Sequence, residues 1–385
     1  MQPQPPPLSL YVHLPWCVRK CPYCDFNSHV APQDMPQHDY VDALLADLDH
    51  DLARTGGRPL ISIFFGGGTP SLFTPQEIAR FIEGVRARLA CCDDMEVTLE
   101  ANPGTIEHGR FRGYRDAGVT RVSLGAQTFD PLQLRTLGRI HNSDDIARAV
   151  DELVQAGLHN FNLDLMYALP QQTLAQALAD IEAAIALGPT HISHYQLTLE
   201  PGTVFYHRPP PLPDHDLSWE MQLECQALLA THGYEQYEVS AYARSGSRCR
   251  HNLNYWQFGD YLGLGAGAHG KLTHGGTIER TVRCKQPRDY LGRKVEERLV
   301  ERRVVGSEVM FEYMLNALRL IEGFDSAQLQ QRTGVPFSAV EPMLKQAQHK
   351  GMLTPTESNA GYRPTELGAR FLNDLQGMFL PESTG

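Results

Sequence analysis

Three cysteines crowd one short stretch near the N-terminus. In SLYVHLPWCVRKCPYCDFN, residues 9–27, Cys17, Cys21 and Cys24 stand at a C-x3-C-x2-C spacing just after an apolar run. Thiolates this close on one loop can hold three corners of a cubane iron–sulfur cluster. The fourth iron then lacks a protein ligand. The amine and carboxylate of S-adenosylmethionine (SAM) can fill it, and an electron from the cluster would cleave the sulfonium. Zinc is the competing use of clustered cysteines, but zinc sites usually pair one C-x2-C with a second downstream, and none follows here. A disulfide framework would need secretion, which neither the composition nor the N-terminus suggests.

Further polar residues fall where strands should end. Gly66-Gly67-Gly68-Thr69-Pro70 follows the apolar run Leu60–Phe65. Missing side chains there would let backbone groups approach a ligand, although a tight strand exit needs the same residues. Glu100 (in LEANPG), Gln127 (in SLGAQTF) and Asp164 (in NLDLMYALP) also end apolar runs, and Arg139 (in LGRIH) lies in a following loop. Each alone could be a buried polar group satisfied by backbone; together, at successive strand ends, they point to one ligand. Arg250–Trp256, RHNLNYW, adds an imidazole at His251 with aromatic neighbours. That pattern suits an axial ligand of haem iron and a covered porphyrin face. A structural histidine is the plainer alternative in a chain with 16 of them.

The cysteine spacing with Tyr11, His13, Pro15, Tyr23 and Asp25-Phe26 resembles the HemN/HemW group of radical-SAM proteins. These are the oxygen-independent coproporphyrinogen III dehydrogenases and their haem-chaperone relatives. The resemblance runs from Leu10 to about Leu380. It implies a [4Fe–4S] cluster on Cys17, Cys21 and Cys24. It also implies cofactor contacts from Tyr11, Tyr23, Gly67, Gly68, Thr69, Glu100, Gln127, Arg139 and Asp164. Tyr11 and Glu100 would serve the cluster-bound SAM; Gln127, Arg139 and Asp164 would lie near the second SAM of the dehydrogenases. Gln171, in LPQQT, stands where relatives often carry glycine. The dehydrogenases have a further cysteine two residues after the third, where Phe26 stands here, and a long arm before the cluster, whereas Cys17 is close to this N-terminus. Both departures match the haem-chaperone branch, and the H-N-x-x-Y-W stretch resembles its proposed haem signature. His251 is then the expected haem ligand and His269 a second candidate, in a segment (Asp260–His269) expected to close over the barrel mouth.

The elements that must position these residues can be read from periodicity. Strands are expected at about Ser9–Leu14, Leu60–Phe65, Glu96–Glu100, Arg121–Gly125, Phe161–Ala168 and His191–Leu199, each followed by helix-period sequence. Thr74-Pro75-Gln76-Glu77 reads as a capping box, and helices are expected at Thr105–Ala117, Pro131–Leu137, Asp144–Ala156 and Thr173–Leu187. Such alternation predicts an α/β protein with a parallel sheet; the resemblance implies an open, partial (β/α)6 barrel of the radical-SAM type. The proline run Pro209–Pro213 marks a linker. Beyond it come a helix (Leu217–Thr231), a strand (Tyr237–Tyr242) and, from about Ser307, three helices and two short strands that suggest a winged-helix-like domain. The expected division is residues 1–208 for the barrel with the cluster loop, 209–305 for an extension carrying the H-N-x-x-Y-W stretch, and 306–385 for the C-terminal domain.

A net charge of −11 argues against non-specific nucleic-acid binding. It also opposes reading the winged helix as part of a DNA-binding regulator. The first ten residues lack the basic and apolar regions of a signal peptide, and no apolar run reaches the length of a transmembrane helix. A cytoplasmic protein with reduced cysteines is expected, with peripheral membrane contact left open. The expected function is haem binding and delivery to apo-haemoproteins, with no catalytic residue assigned. The alternative is radical-SAM decarboxylation of coproporphyrinogen III propionates.

Overall fold

The computed structural model describes residues 2–104, 109–358 and 360–381. Its centre is a run of parallel strands: β1 (Leu8–Leu14), β2 (Leu60–Gly67), β3 (Cys91–Ala101), β4 (Arg121–Gln127), β5 (Phe161–Tyr167) and β6 (His191–Gln196). They lie side by side in chain order, and every adjacent pair is parallel. Helices α1 (Gln37–Asp51), α2 (Pro75–Arg86), α3 (Phe111–Asp116), α4 (Pro131–Thr136), α5 (Ser143–Gln155) and α6 (Leu174–Ala186) connect them. In β1 the alternation is plain: Leu8, Leu10, Val12 and Leu14 enter the main apolar core with Leu44 and Leu48 of α1. Ser9, Tyr11 and His13 therefore point to the other face.

Local chemistry sets the helix starts. Asn142 with Asp145, and Thr173 with Gln176, form full capping boxes for α5 and α6. At α2 only half of the expected box forms. Thr74 accepts from the Glu77 amide, but the Glu77 carboxylate turns to Arg80 (2.9 Å) and His38 (3.1 Å), where it meets charge instead of an amide. The first four residues of the helix expected at Thr105–Ala117 lie outside the described residues.

The sheet continues on both sides. A hairpin of β7 (Glu235–Glu238) and β8 (Ala241–Ala243) adds to β6 in antiparallel fashion. The single strand expected at Tyr237–Tyr242 is thus two, because Val239-Ser240 turns the chain and the Ser240 amide is held by the Glu238 carboxylate at 3.1 Å. On the far side β9 (Asp260–Leu264) runs parallel to β1, and β10 (His269–His274), β11 (Thr277–Arg283) and β12 (Leu299–Val304) follow antiparallel. The segment expected to close over the mouth is therefore a sheet strand. Its alternate apolar side chains Leu262 and Leu264 belong to the core.

Two further helices lie beyond β6: α7 (His215–Thr231) and, between β8 and β9, α8 (Arg250–Trp256). At the start of α8, Cys249 joins the two flanks. It touches Glu96 of β3 through its thiol (3.4 Å) and Tyr237 of β7 through its amide (3.4 Å). Those strands are five places apart in the sheet order, about 24 Å in a flat sheet. The sheet must curl for both contacts to form. It stays open, because β12 and β7 form its two edges.

The C-terminal part contains α9 (Ser307–Ala317), α10 (Ser326–Thr333), α11 (Phe337–His349) and short strands at Leu353–Pro355 and Gly361–Pro364. The arrangement agrees with the expected helix–helix–helix–wing pattern. A third strand, Phe324–Asp325, pairs with Gly361–Pro364.

Candidate cofactor site

The ends of six successive parallel strands converge on one cavity of about 400 Å³. Cys17, Cys21 and Cys24 line it from the loop after β1, Gly67, Gly68 and Thr69 from the end of β2, and Glu100, Gln127 and Asp164 from β3, β4 and β5. Tyr23 and Arg139 also line it. Tyr11 sits one layer below, His269 is exposed at the start of β10, and His251 lies apart.

The cysteine loop is tied down at both ends. The Tyr11 hydroxyl donates to His13 Nδ1 (3.0 Å), so the His13 Nε2–H donates to the Asn27 carbonyl (2.9 Å). Burial holds this imidazole neutral by lowering its pKa. Asn27 Nδ2 in turn donates to the carbonyls of Ala266 and Lys285, at 2.9 and 2.8 Å. The turn after β9 thereby braces the loop. Inside it, the Cys24 amide donates to the Cys21 carbonyl at 3.3 Å. All eight cysteines are free thiols, and burial raises Cys17 and Cys24 above the ordinary thiol value.

The glycines have a steric reason. Gly67 has φ +110°, and a Cβ there would stand 2.5 Å from the His13 ring; a Cβ on Gly68 would stand 2.5 Å from the Trp16 carbonyl oxygen. Only glycine lets β2 pass so close under the cysteine loop. The chain then returns hydrogen bonds to that loop's root, from the Gly68 amide to Leu14 O and the Thr69 amide to Trp16 O, both 2.8 Å.

Charge is concentrated on the wall formed by the strand ends and the Arg139 loop. Glu100 accepts from the Gly67 amide at 3.2 Å. Burial, and then the Asp164 carboxylate, push its carboxyl up to about 8. Asp164 is also raised by burial, though Ser123 (2.9 Å) and Asn162 (2.8 Å) donate to it. Arg139 reaches the Cys21 sulfur (3.7 Å), the Gly125 carbonyl (3.0 Å) and the Asn102 side chain. Two buried polar atoms on this wall, Gln127 Oε1 and Arg139 Nε, find no partner among the described residues. Gln127 also adopts a left-handed backbone, φ +64°, which a non-glycine residue holds only under constraint. Unsatisfied donors and acceptors facing a cavity beside three thiols fit a polar ligand held next to a cluster.

Sequence reasoning missed Asn102, Ser123 and Tyr195, which also line the cavity. Asn102 bridges Thr69 Oγ1 (3.0 Å) and Arg139. The period of two would have found Ser123, two residues before Gly125 on the same face of β4. Gln171 takes φ +58°, a conformation glycine adopts freely, and its amide is fixed to Pro211 O at 3.0 Å.

His251 occupies the floor of the curled sheet, and it is 1% exposed. Glu96 of β3 accepts from the amides of Arg250 and His251, both at 3.1 Å, and so neutralises the start of α8. The His251 ring stacks on Phe64 (4.9 Å), abuts Tyr255 (4.7 Å), and bonds Ser62 through Nδ1 at 2.9 Å. Its Nε2 has no partner among the described residues, and burial lowers its pKa to about 3.

The fold and the cavity define a partial β/α barrel with a cysteine-bordered cavity at the strands' C-terminal ends. Residues 11–184 match the Radical SAM superfamily and residues 306–371 the HemN C-terminal domain. The structure of coproporphyrinogen III oxidase (HemN) from Escherichia coli, a radical SAM enzyme, has the same fold. Its TM-score is 0.81 at 22% identity, covering 97% of this chain and 90% of that one. Heme chaperone HemW of Escherichia coli (strain K12) is 48% identical over 98% of this chain and 99% of its own length. Heme chaperone HemW of Bacillus subtilis (strain 168) is 34% identical over 97% and 99%. The chain belongs to the HemW family within the radical SAM superfamily. That membership implies SAM and a [4Fe–4S] cluster.

Proposed function

We propose that the chain binds haem, carries a SAM-ligated [4Fe–4S] cluster on Cys17, Cys21 and Cys24, and delivers haem to apo-haemoproteins. The observation that carries this reading is the three-cysteine cavity in a chain that matches heme chaperones end to end. When bound, the cluster and SAM supply one-electron chemistry at the sulfonium. The chain's own residues hold and orient: Gly67, Gly68 and Thr69 offer close backbone, and Glu100, Gln127, Arg139 and Asp164 offer polar partners, with Tyr11 and Tyr23 supporting the loop. The three-part division at residues 208 and 305 is proposed with it. Free cysteines support a reducing cytoplasm, and no described helix is long and apolar enough to cross a membrane.

The dehydrogenase reading has less support, because Phe26 stands where those enzymes carry a further cysteine. Haem titration of the anaerobically reconstituted protein, followed at the Soret band, tests the chaperone reading. Saturable binding and transfer to an apo-haemoprotein are expected. Absence of binding, with protoporphyrinogen formed from coproporphyrinogen III, would reverse the order of the two. Changing Cys17, Cys21 or Cys24 to Ala should abolish bound iron; retained iron would move the cluster elsewhere.

His251 as haem ligand makes a specific demand: α8 would have to leave the barrel floor for iron to reach Nε2. Its burial supports a structural role instead. His251→Ala should then cost about 2–4 kcal/mol of stability, through the lost ring packing on Phe64 and Tyr255, with the Soret titration unchanged. A lost Soret band at unchanged stability would restore the ligand.

A further inference from the structure

We propose that Asn102 is a positioning residue for the iron–sulfur cluster: it sets the reduction potential by holding the Arg139 guanidinium against Cys21 and the Thr69 hydroxyl against Cys17. This deepens the cluster assignment above and rests on it.

Each cysteine of the triad has a side-chain donor beside its sulfur. Arg139 Nη1 stands 3.7 Å from Cys21 Sγ, and Ser28 Oγ stands 4.0 Å from Cys24 Sγ. Thr69 is anchored next to Cys17, its amide on the Trp16 carbonyl at 2.8 Å. Burial raises the pKa of the Cys17 thiol, and the Thr69 hydroxyl opposes that rise, as a donor to sulfur does. A ligating thiolate can only accept, so with a cluster held all three contacts are donated to sulfur.

Two of these donors are fixed by one amide. Asn102 Nδ2 donates to Thr69 Oγ1 at 3.0 Å, and Asn102 Oδ1 accepts from Arg139 Nη2. The first bond occupies a lone pair of the Thr69 hydroxyl and leaves its hydrogen for Cys17. The second acts with the Gly125 carbonyl, which accepts from the same Nη2 at 3.0 Å. Together they fix the guanidinium plane and so aim Nη1 at Cys21. Asn102 itself makes no hydrogen bond to a cysteine among the described residues.

Reduction adds one negative charge to a cluster. Donors on its sulfurs stabilise the reduced form more than the oxidised one, and a cationic donor does so most. Partners outside the ligand shell hold such groups in place. Removing the amide that aims two of the three donors therefore lowers the potential.

The test is a dithionite titration of the reconstituted full chain, followed by electron paramagnetic resonance at controlled potential. SAM is left out, so that the SAM contacts of the same cavity play no part. Asn102→Leu should lower the reduced-to-oxidised ratio at the wild-type midpoint by about tenfold, a shift of about 59 mV for one electron. Thr69→Val and Arg139→Met should each lower it as well. Added to the Thr69→Val/Arg139→Met background, Asn102→Leu should change the ratio by less than about twofold, since nothing remains for it to position. An unmoved midpoint in Asn102→Leu, with iron content retained, would overturn the proposal. So would a full shift persisting in that background, because the amide would then act by itself. Should Asn102→Leu lose iron, Asn102→Ser, too short to span both partners, decides by the same midpoint. A wild type without a cluster signal would overturn the cluster reading, and this inference with it.

Discussion

Glu100 illustrates how much of this site is decided at single residues. Its carboxyl is pushed up to about 8 from an ordinary 4.5, by burial and then by Asp164. The folded protein therefore keeps a proton that the unfolded chain releases, and stability is lost as pH rises from about 4.5 through about 8. Glu100→Gln removes that slope. Without added SAM, variant and wild type should melt alike near the lower limit, and the variant should melt about 1–3 °C higher above the upper one. Parallel melting profiles across this range would show that Glu100 is not held neutral. Glu100 was legible as a candidate because it closes an apolar run. Its proton was not, because Asp164, the second cause, sits on β5, far along the chain, and only the register that places β4 between the two strands brings it near.

At the scale of elements, the exit of β2 and the cysteine loop form one unit. The loop returns over Gly67 and Gly68 so closely that side chains cannot fit. Gly67→Ala combines φ +110° with a clash against the His13 ring. It should destabilise the protein by about 1–3 kcal/mol and weaken SAM binding by about tenfold or more, measured by equilibrium titration of the reconstituted protein. Unchanged SAM affinity would separate the glycine loop from the SAM site. The strands and helices themselves were largely readable, since period-two and helical spacing survive in β1 and α2. The missed turn at Val239-Ser240 and the half-formed box at α2 had other causes. Both depend on which group a glutamate carboxylate engages, the Ser240 amide in one case and Arg80 with His38 in the other, and spacing does not carry that information.

The whole molecule is held together across its expected boundaries. Val304, Ile278 and Phe258 from the sheet extension share one apolar core with Met310, Tyr313, Leu329 and Leu344 of the C-terminal helices. Asp260 of β9, fully buried, binds Arg58 (2.8 Å) and Lys271 (2.9 Å) beneath them. A fragment of residues 306–385 should therefore lack a cooperative thermal transition in calorimetry. A sharp transition would make it an independent domain. Asp260→Ala should cost the full chain about 3–5 kcal/mol, because the buried Lys271 and the partly buried Arg58 lose their carboxylate; a loss below about 1 kcal/mol in chemical denaturation would refute that.

The sequence by itself determined the cysteine triad, the alternation of strand and helix, and the polar residues at strand ends. Those follow from spacing and periodicity, which are local. Only the tertiary structure decided that β9 joins β1 in parallel rather than covering the mouth, and that α8 fills the floor. It also decided that His251 is sealed away and that Asn102 bridges Thr69 and Arg139. Burial, register and the curl of a sheet depend on contacts between residues far apart in the chain, and no short stretch of sequence encodes them.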